Sequence, residues 1–294
     1  MTIRKILVPL SGQHDPEDPE ALDGPALELG FAAGRALNVH VEVFCIEARA
    51  VRPHERIVPW LPGTAVDQLI DVIDEESARR CTQARATFDA AVARHAPPRA
   101  ASPQAASGFC ANFVEQVGDV GGSLAVRGRL ADLIVTAKPP ADHEQVPMML
   151  ESALRETGRP VLIAPAAGAG QLGRRVALAW NGSAEASRAV ALAHPFLERA
   201  EEVLVISVRE DGPVVPSAEE LADYLTWHGL AAKTVTVEGT AGTAGDLLLE
   251  QAAKAGADLL VMGAYTRDRV NRLIFGGATA AVLAHATVPL LMVD

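Results

Sequence analysis

Aromatic residues are scarce in this chain of 294 residues, only 4% of the total. That excludes a core built on stacked rings and leaves alanine, valine and leucine to supply the packing, a composition suited to helices laid on a buried parallel sheet. Cysteine is scarce as well. Cys45, Cys81 and Cys110 are an odd, widely spaced set with no metal-type pairing, which argues against a disulfide framework or a zinc site. Basic residues do not dominate, and the formal net charge of −11 opposes the basic footprint that nucleic acid requires. No apolar run approaches the roughly 18–20 residues that span a bilayer. The opening MTIRKILVPLSG has too short an apolar run for a secretory signal and leads straight into a strand-like pattern, so the expectation is a cytoplasmic protein.

What is present is a repeated plan. Arg4 to Leu10 followed by Ser11-Gly12 is matched by Arg174 to Trp180 followed by Asn181-Gly182-Ser183. Each reads as a buried strand that ends in a polar turn. Helical patterns follow at Ala21 to Leu37 and at Ala184 to Arg199, the second opened by Ser183 as N-cap with Glu185 in its first turn. Strands are expected next at Val39 to Ile46 and Glu202 to Val208. The halves then diverge: Val66 to Ala93 has Leu69, Val72, Ile73, Cys81, Phe88 and Val92 at helical spacing, whereas the second half has only Ser217 to His228. Third strands are placed at Ala100 to Ala106 and Lys233 to Val237. Ala131 to Val135 matches Ala257 to Val261, and the closing strand Arg159 to Pro165 is echoed by Val288 to Val293. The small-residue stretch Ala166 to Gly173 reads as a linker between domains at 1–167 and 173–294. Strands alternating with helices imply parallel sheets with right-handed crossovers, whose ligands sit outside the carboxyl ends of the strands.

The stretch with most chemical content is Asp258 to Thr279. An apolar run reaches Gly263, a basic loop holds Arg267, Arg269 and Arg272, and Gly276-Gly277 precedes a helical segment at Ala280 to Ala286. Strand, loop, paired glycines and helix present bare backbone N–H groups at a positive helix terminus, where anions bind. His194 and His285 have no partner at ligand spacing, and the acidic loop of His14, Asp15, Glu17 and Asp18 reads as a solvated loop, with a metal site as the alternative. The glycine-rich Gly239 to Gly245 lacks the Lys-Ser/Thr of a P-loop. No Ser-His-Asp or Cys-His set can be assembled, so no catalytic base is assigned.

With its first-strand turn Trp180-Asn181-Gly182-Ser183, its Ile206-Ser207-Val208 strand end and the spacing of Gly263, Thr266, Gly276 and Gly277, the chain resembles the universal stress protein family in its tandem form. The resemblance implies an α/β fold of two Rossmann-like, doubly wound domains, each a mostly parallel five-stranded sheet flanked by helices. It implies that Val161 to Ala164 and Pro289 to Met292 pair antiparallel between the domains, and that two chains can assemble into a homodimer. It further implies ATP or AMP, with Mg, in the second domain. Asn181 would sit by adenine or ribose, and Val208 and Met262 would line the base pocket. Gly263 and Gly276 would let backbone approach phosphate, and the N–H groups of Gly277 and Ala278 would face the terminal phosphates, with the Thr279 hydroxyl nearby. Two residues depart from the family pattern. Thr266 replaces a glycine, and Gly277 replaces a Ser or Thr whose hydrogen bond to phosphate is worth about 1.5–3 kcal/mol. In the first half Pro147-Met148 stands in place of the glycine pair and Ser11 where binders carry Asp, so that half is expected to be structural. Three readings stay open: a nucleotide-binding sensor, a nucleotide-free interaction module with an unknown protein partner, and a slow ATPase.

Overall fold

The computed structural model describes residues 2–13, 23–48, 63–106, 108–138, 145–168, 170–210, 212–240, 242–264 and 277–294. The amino-terminal lobe contains β1 (Lys5–Leu10), α1 (Gly24–Leu37), β2 (His40–Glu47), α2 (Gly63–His95), β3 (Cys110–Val117), α3 (Val120–Gly128), β4 (Leu133–Ala137), α4 (Gln145–Glu156) and β5 (Val161–Ala164). The carboxy-terminal lobe contains β6 (Arg175–Ala179), α5 (Ala184–Leu197), β7 (Glu202–Arg209), α6 (Ala218–Trp227), β8 (Ala232–Glu238), α7 (Ala244–Lys254), β9 (Leu259–Gly263), α8 (Gly277–His285) and β10 (Leu290–Val293).

The strands form one sheet in the order β3-β2-β1-β4-β5-β10-β9-β6-β7-β8. All neighbours run parallel except at the centre, where β10 pairs antiparallel with β5 through Leu290 with Ile163, Leu291 with Leu162 and Met292 with Val161. This is the seam expected from the sequence. Strand order repeats on either side of it, so the lobes are related by a pseudo-twofold axis at the seam. The carboxyl ends of their strands face opposite edges of the sheet.

Alternate residues of each strand feed two cores. Ile6, Val8, Val176, Leu178 and Leu291 pack on one face beneath α1, α2, α5 and α6. Leu7, Ile134, Ala177, Leu260 and Met292 pack on the other beneath α3, α4, α7 and α8. Both faces are covered, which is why the central strands read as continuous apolar runs rather than as alternations.

Two expectations need correction. Ala100 to Ala106 is not the third strand. Pro103 has no N–H for a ladder, and the Ser102 carbonyl accepts from Ala105 N instead, closing a turn. The strand is Cys110–Val117, an edge strand whose outer residues are exposed. The long helix exists, but Leu69 and Val72 lie 54% and 62% exposed, outside the core that buries Cys81 and Phe88. At 1.5 Å per residue a helix of 33 residues runs about 50 Å, twice the reach of an eight-residue strand, so the turns around Leu69 and Val72 reach past the sheet.

Candidate functional site

The β6–α5 turn is built first. Gly182 adopts φ +71°, and a Cβ there would lie 2.4 Å from the Val215 carbonyl oxygen. Only glycine lets the turn and the 212–216 segment approach so closely. The Trp180 indole, 6% exposed, donates from Nε1 to the Pro216 carbonyl at 2.8 Å and ties that segment to the end of β6. Trp180 is therefore a packing residue that also lines the cavity. Asn181 Oδ1 accepts from Ser183 N at 3.1 Å, and Ser183 Oγ accepts from Ala186 N at 3.1 Å as the cap of α5. In that first turn the Glu185 carboxyl is held below its usual range by its own backbone N–H.

A cavity of about 630 Å³ opens beside this turn at the carboxyl edge of β6, β7 and β9. Its size lies in the range of small-molecule and cofactor sites. Asn181, Val208, Met262, Gly263, Gly277, Ala278 and Thr279 all line it. Seven of the nine residues named from sequence thus converge on one space. Thr266 and Gly276, with Arg267, Arg269 and Arg272, lie outside the described residues. The helix α8 begins at Gly277 itself, three residues before the expected Ala280, so the N–H groups of Gly277 and Ala278 belong to its free first turn.

Two glycines differ in what they serve. A Cβ on Gly263 would come within 2.7 Å of Glu185 Cβ and 2.9 Å of Ala186 N, so this glycine admits α5 against the end of β9. A Cβ on Gly277 meets nothing within 4 Å. Thr279, only 1% exposed, turns inward.

The sequence reading missed part of the wall. Gly212 to Val215 close one side, and Gly242, Ala244 and Leu248 bring in the start of α7. Glu210 Oε1 accepts from Thr243 N and Ala244 N, both at 3.2 Å, and caps that helix from a neighbouring strand end. The glycine-rich Gly239 to Gly245 was the available signal: it shapes a lining turn without being a phosphate loop. The ionisable side chains among the described lining residues are engaged within the protein, Arg209 with Glu238 at 3.0 Å and Glu210 at the start of α7. His285 faces Asp246 at 3.5 Å and His194 faces Glu198 at the same distance. Among the described residues no group of three metal-ligating side chains occurs, and no helix is long and apolar enough to cross a membrane.

The family model of the universal stress protein family matches residues 173–294, the lobe that contains this cavity. The carboxy-terminal lobe is thus a universal stress protein domain. The whole two-lobed architecture also recurs in solved structures. A universal stress protein from Archaeoglobus fulgidus DSM 4304 superposes with a TM-score of 0.62 at 16% identity, covering 99% of this chain and 96% of that one. A functionally unknown protein from Pseudomonas aeruginosa PAO1 gives 0.54 at 18%, covering 99% and 92%. At these identities the likeness is one of fold. A search of curated proteins finds no match. The fold is thus the tandem form, two five-stranded units joined into one sheet.

Proposed function

We propose that the carboxy-terminal domain, residues 173–294, binds an adenine nucleotide, ATP or AMP with Mg, and that the chain acts in stress response as a ligand-dependent sensor. The carrying observation is the convergence of seven sequence-named residues on the one cavity at the strand carboxyl edge. Val208 and Met262 supply apolar walls for a base, Asn181 stands at the polar rim, and the first turn of α8 offers N–H groups and a positive terminus to phosphate.

The amino-terminal domain, residues 1–167, is read as the structural partner. Its equivalent turn is sealed from within: a Cβ on Gly12 would lie 2.0 Å from the Arg80 carbonyl oxygen of α2. The buried Asp23 carboxylate already accepts from Ser11 N at 2.9 Å and Gly12 N at 2.7 Å. An internal carboxylate at that place opposes a phosphate by charge. Pro147, in the first turn of α4, has no N–H to give.

Calorimetric titration and thermal melting with Mg-ATP and with AMP test this reading. One site per chain is expected, with about 2.7 kcal/mol of stabilisation at a hundredfold excess over Kd. Absence of both heat and melting shift at millimolar nucleotide overturns it. A nucleotide-free interaction module, acting on a protein partner from a cytoplasmic monomer or homodimer, is the second reading. It is favoured by a specific observation: Asn181 and Glu210 at the cavity rim are already satisfied by the chain's own N–H groups.

A further inference from the structure

The outer face of α6 carries side chains that neither the cavity nor the core uses. Glu220, Asp223, Tyr224 and Trp227 stand at positions i, i+3, i+4 and i+7, so all four share one face of the helix. The opposite face, with Ala218, Leu221 and Leu225, is buried. Trp227 is 90% exposed and Tyr224 51%, in a chain with only three tryptophans and two tyrosines. Neighbouring exposed aromatics of this size mark a contact surface. The Tyr224 ring is steadied by edge packing on His228, with centroids 4.8 Å apart. The acids are as available as the rings. Asp223 has no hydrogen-bond or ion-pair partner among the described residues. Glu220 Oε2 accepts from Ser217 N at 2.7 Å in the capping box, which fixes its carboxylate on this face. With Glu219, α6 holds three acids and no lysine or arginine.

We propose that this face of α6 docks an arginine-bearing segment of a partner protein. Its four side chains make two matched pairs, Glu220 with Tyr224 and Asp223 with Trp227, each a carboxylate one helical turn from a ring. A guanidinium suits such a pair, because it is planar, stacks on an aromatic face and meets a carboxylate with parallel N–H donors. The two pairs are three residues apart on the helix, a spacing of about 5–6 Å. Alternate side chains of an extended peptide lie about 7 Å apart on one side. An Arg-X-Arg segment laid along α6 therefore reaches both pairs. Charge decides against other occupants. A second copy of this chain docking through the same face would set acids against acids. Nucleic acid and anionic lipid are repelled by these carboxylates and by the net charge of −11, which draws a cationic segment in. The face adjoins the cavity wall: Ser217 caps α6, and the preceding Pro216 carbonyl is the one that accepts from Trp180 Nε1. Docking here supplies a partner chemistry for the interaction-module reading and needs no nucleotide in the cavity.

The test is titration of the full, nucleotide-free chain with acetyl-Gly-Arg-Gly-Arg-Gly-amide, followed by calorimetry and by the indole N–H resonances of isotope-labelled protein. The Trp227 resonance, identified by its loss in Trp227→Phe, is expected to shift saturably while that of the buried Trp180 stays in place. Trp227→Ala and Asp223→Asn should each weaken binding about tenfold or more, whereas Trp227→Phe keeps most of it. Affinity should fall as salt rises. The same peptide with citrulline for arginine should not bind. Trp227 is 90% exposed, so its replacement leaves the fold intact, and Leu130→Ala, at a 76% exposed position in the other lobe, should keep wild-type affinity. Unchanged affinity in Trp227→Ala or Asp223→Asn, or shifts that never saturate, overturns the proposal. So does a Trp227 resonance that moves with protein concentration alone, the mark of self-association through this face. Every arm is read without nucleotide, so a chain that fails to bind Mg-ATP can still pass and one that binds it can still fail.

Discussion

At the scale of single residues, the two cavity glycines separate fold from ligand. Gly263→Ala places a methyl against Glu185 Cβ at 2.7 Å and against backbone at 2.9 Å. A packed backbone yields little, so urea unfolding should show a loss of about 1–3 kcal/mol. Gly277→Ser meets open space, and its unfolding curve should match the parent. Gly277 lines the cavity at the start of α8, so the added hydroxyl lies at its rim. If nucleotide binds as proposed, its affinity should rise by about one to two decades, as a hydrogen bond to a charged group provides. A Gly277→Ser chain with unchanged affinity would place phosphate elsewhere. Both residues were legible in the sequence, yet not their difference. A glycine spacing records that a Cβ is disfavoured and is silent on whether ligand or helix demands it.

At the scale of elements, the β1–α1 turn has its own pH signature. Burial raises the Asp23 carboxyl above its ordinary 3.8, against the opposing hydrogen bonds from Ser11 and Gly12. The folded protein therefore binds a proton here more tightly than the unfolded chain does. This contribution to stability is complete below 3.8 and is lost as pH rises through the folded value, the reverse of a salt-bridged carboxylate. Comparison with Asp23→Asn isolates it. The unfolding free energy of the wild type minus that of the variant should fall as pH rises above 3.8 and then level. A difference that grows with pH would refute the assignment. Elements differ in how far the sequence revealed them. The central strands and the cap of α5 were readable because buried runs and Ser183 leave strong local signals. The third strand was not, because Cys110–Val117 buries only part of one face at the sheet edge, and an alanine-rich stretch competed with it. The overhang of α2 was hidden for another reason: Leu69 and Val72 keep helical spacing whether or not a sheet lies beneath them.

At the scale of the molecule, the seam dominates. Val161–Ala164 and Leu290–Val293 are buried at every position, so each lobe ends in an apolar strand that its sibling must cover. Expressed alone, residues 173–294 should expose β10 and associate through it at micromolar concentration. Light scattering should report a dimer or larger species, and a stable monomer would show that the seam is dispensable. The pairing was foreseeable only through the family resemblance, which implies it for the two closing strands. The walls contributed by Gly212 to Val215 and by the start of α7 were not, since neither a connecting segment nor a borrowed cap follows a period.

The antiparallel central pair has one more consequence. With five parallel strands pointing each way, the molecule has two rims about 20 Å apart, the length of a six-residue strand. One rim is hollow and the other is plugged by its own helix and carboxylate. A substitution at one rim therefore leaves the other untouched, since the residues that wall the hollow rim and those that plug its counterpart belong to different lobes.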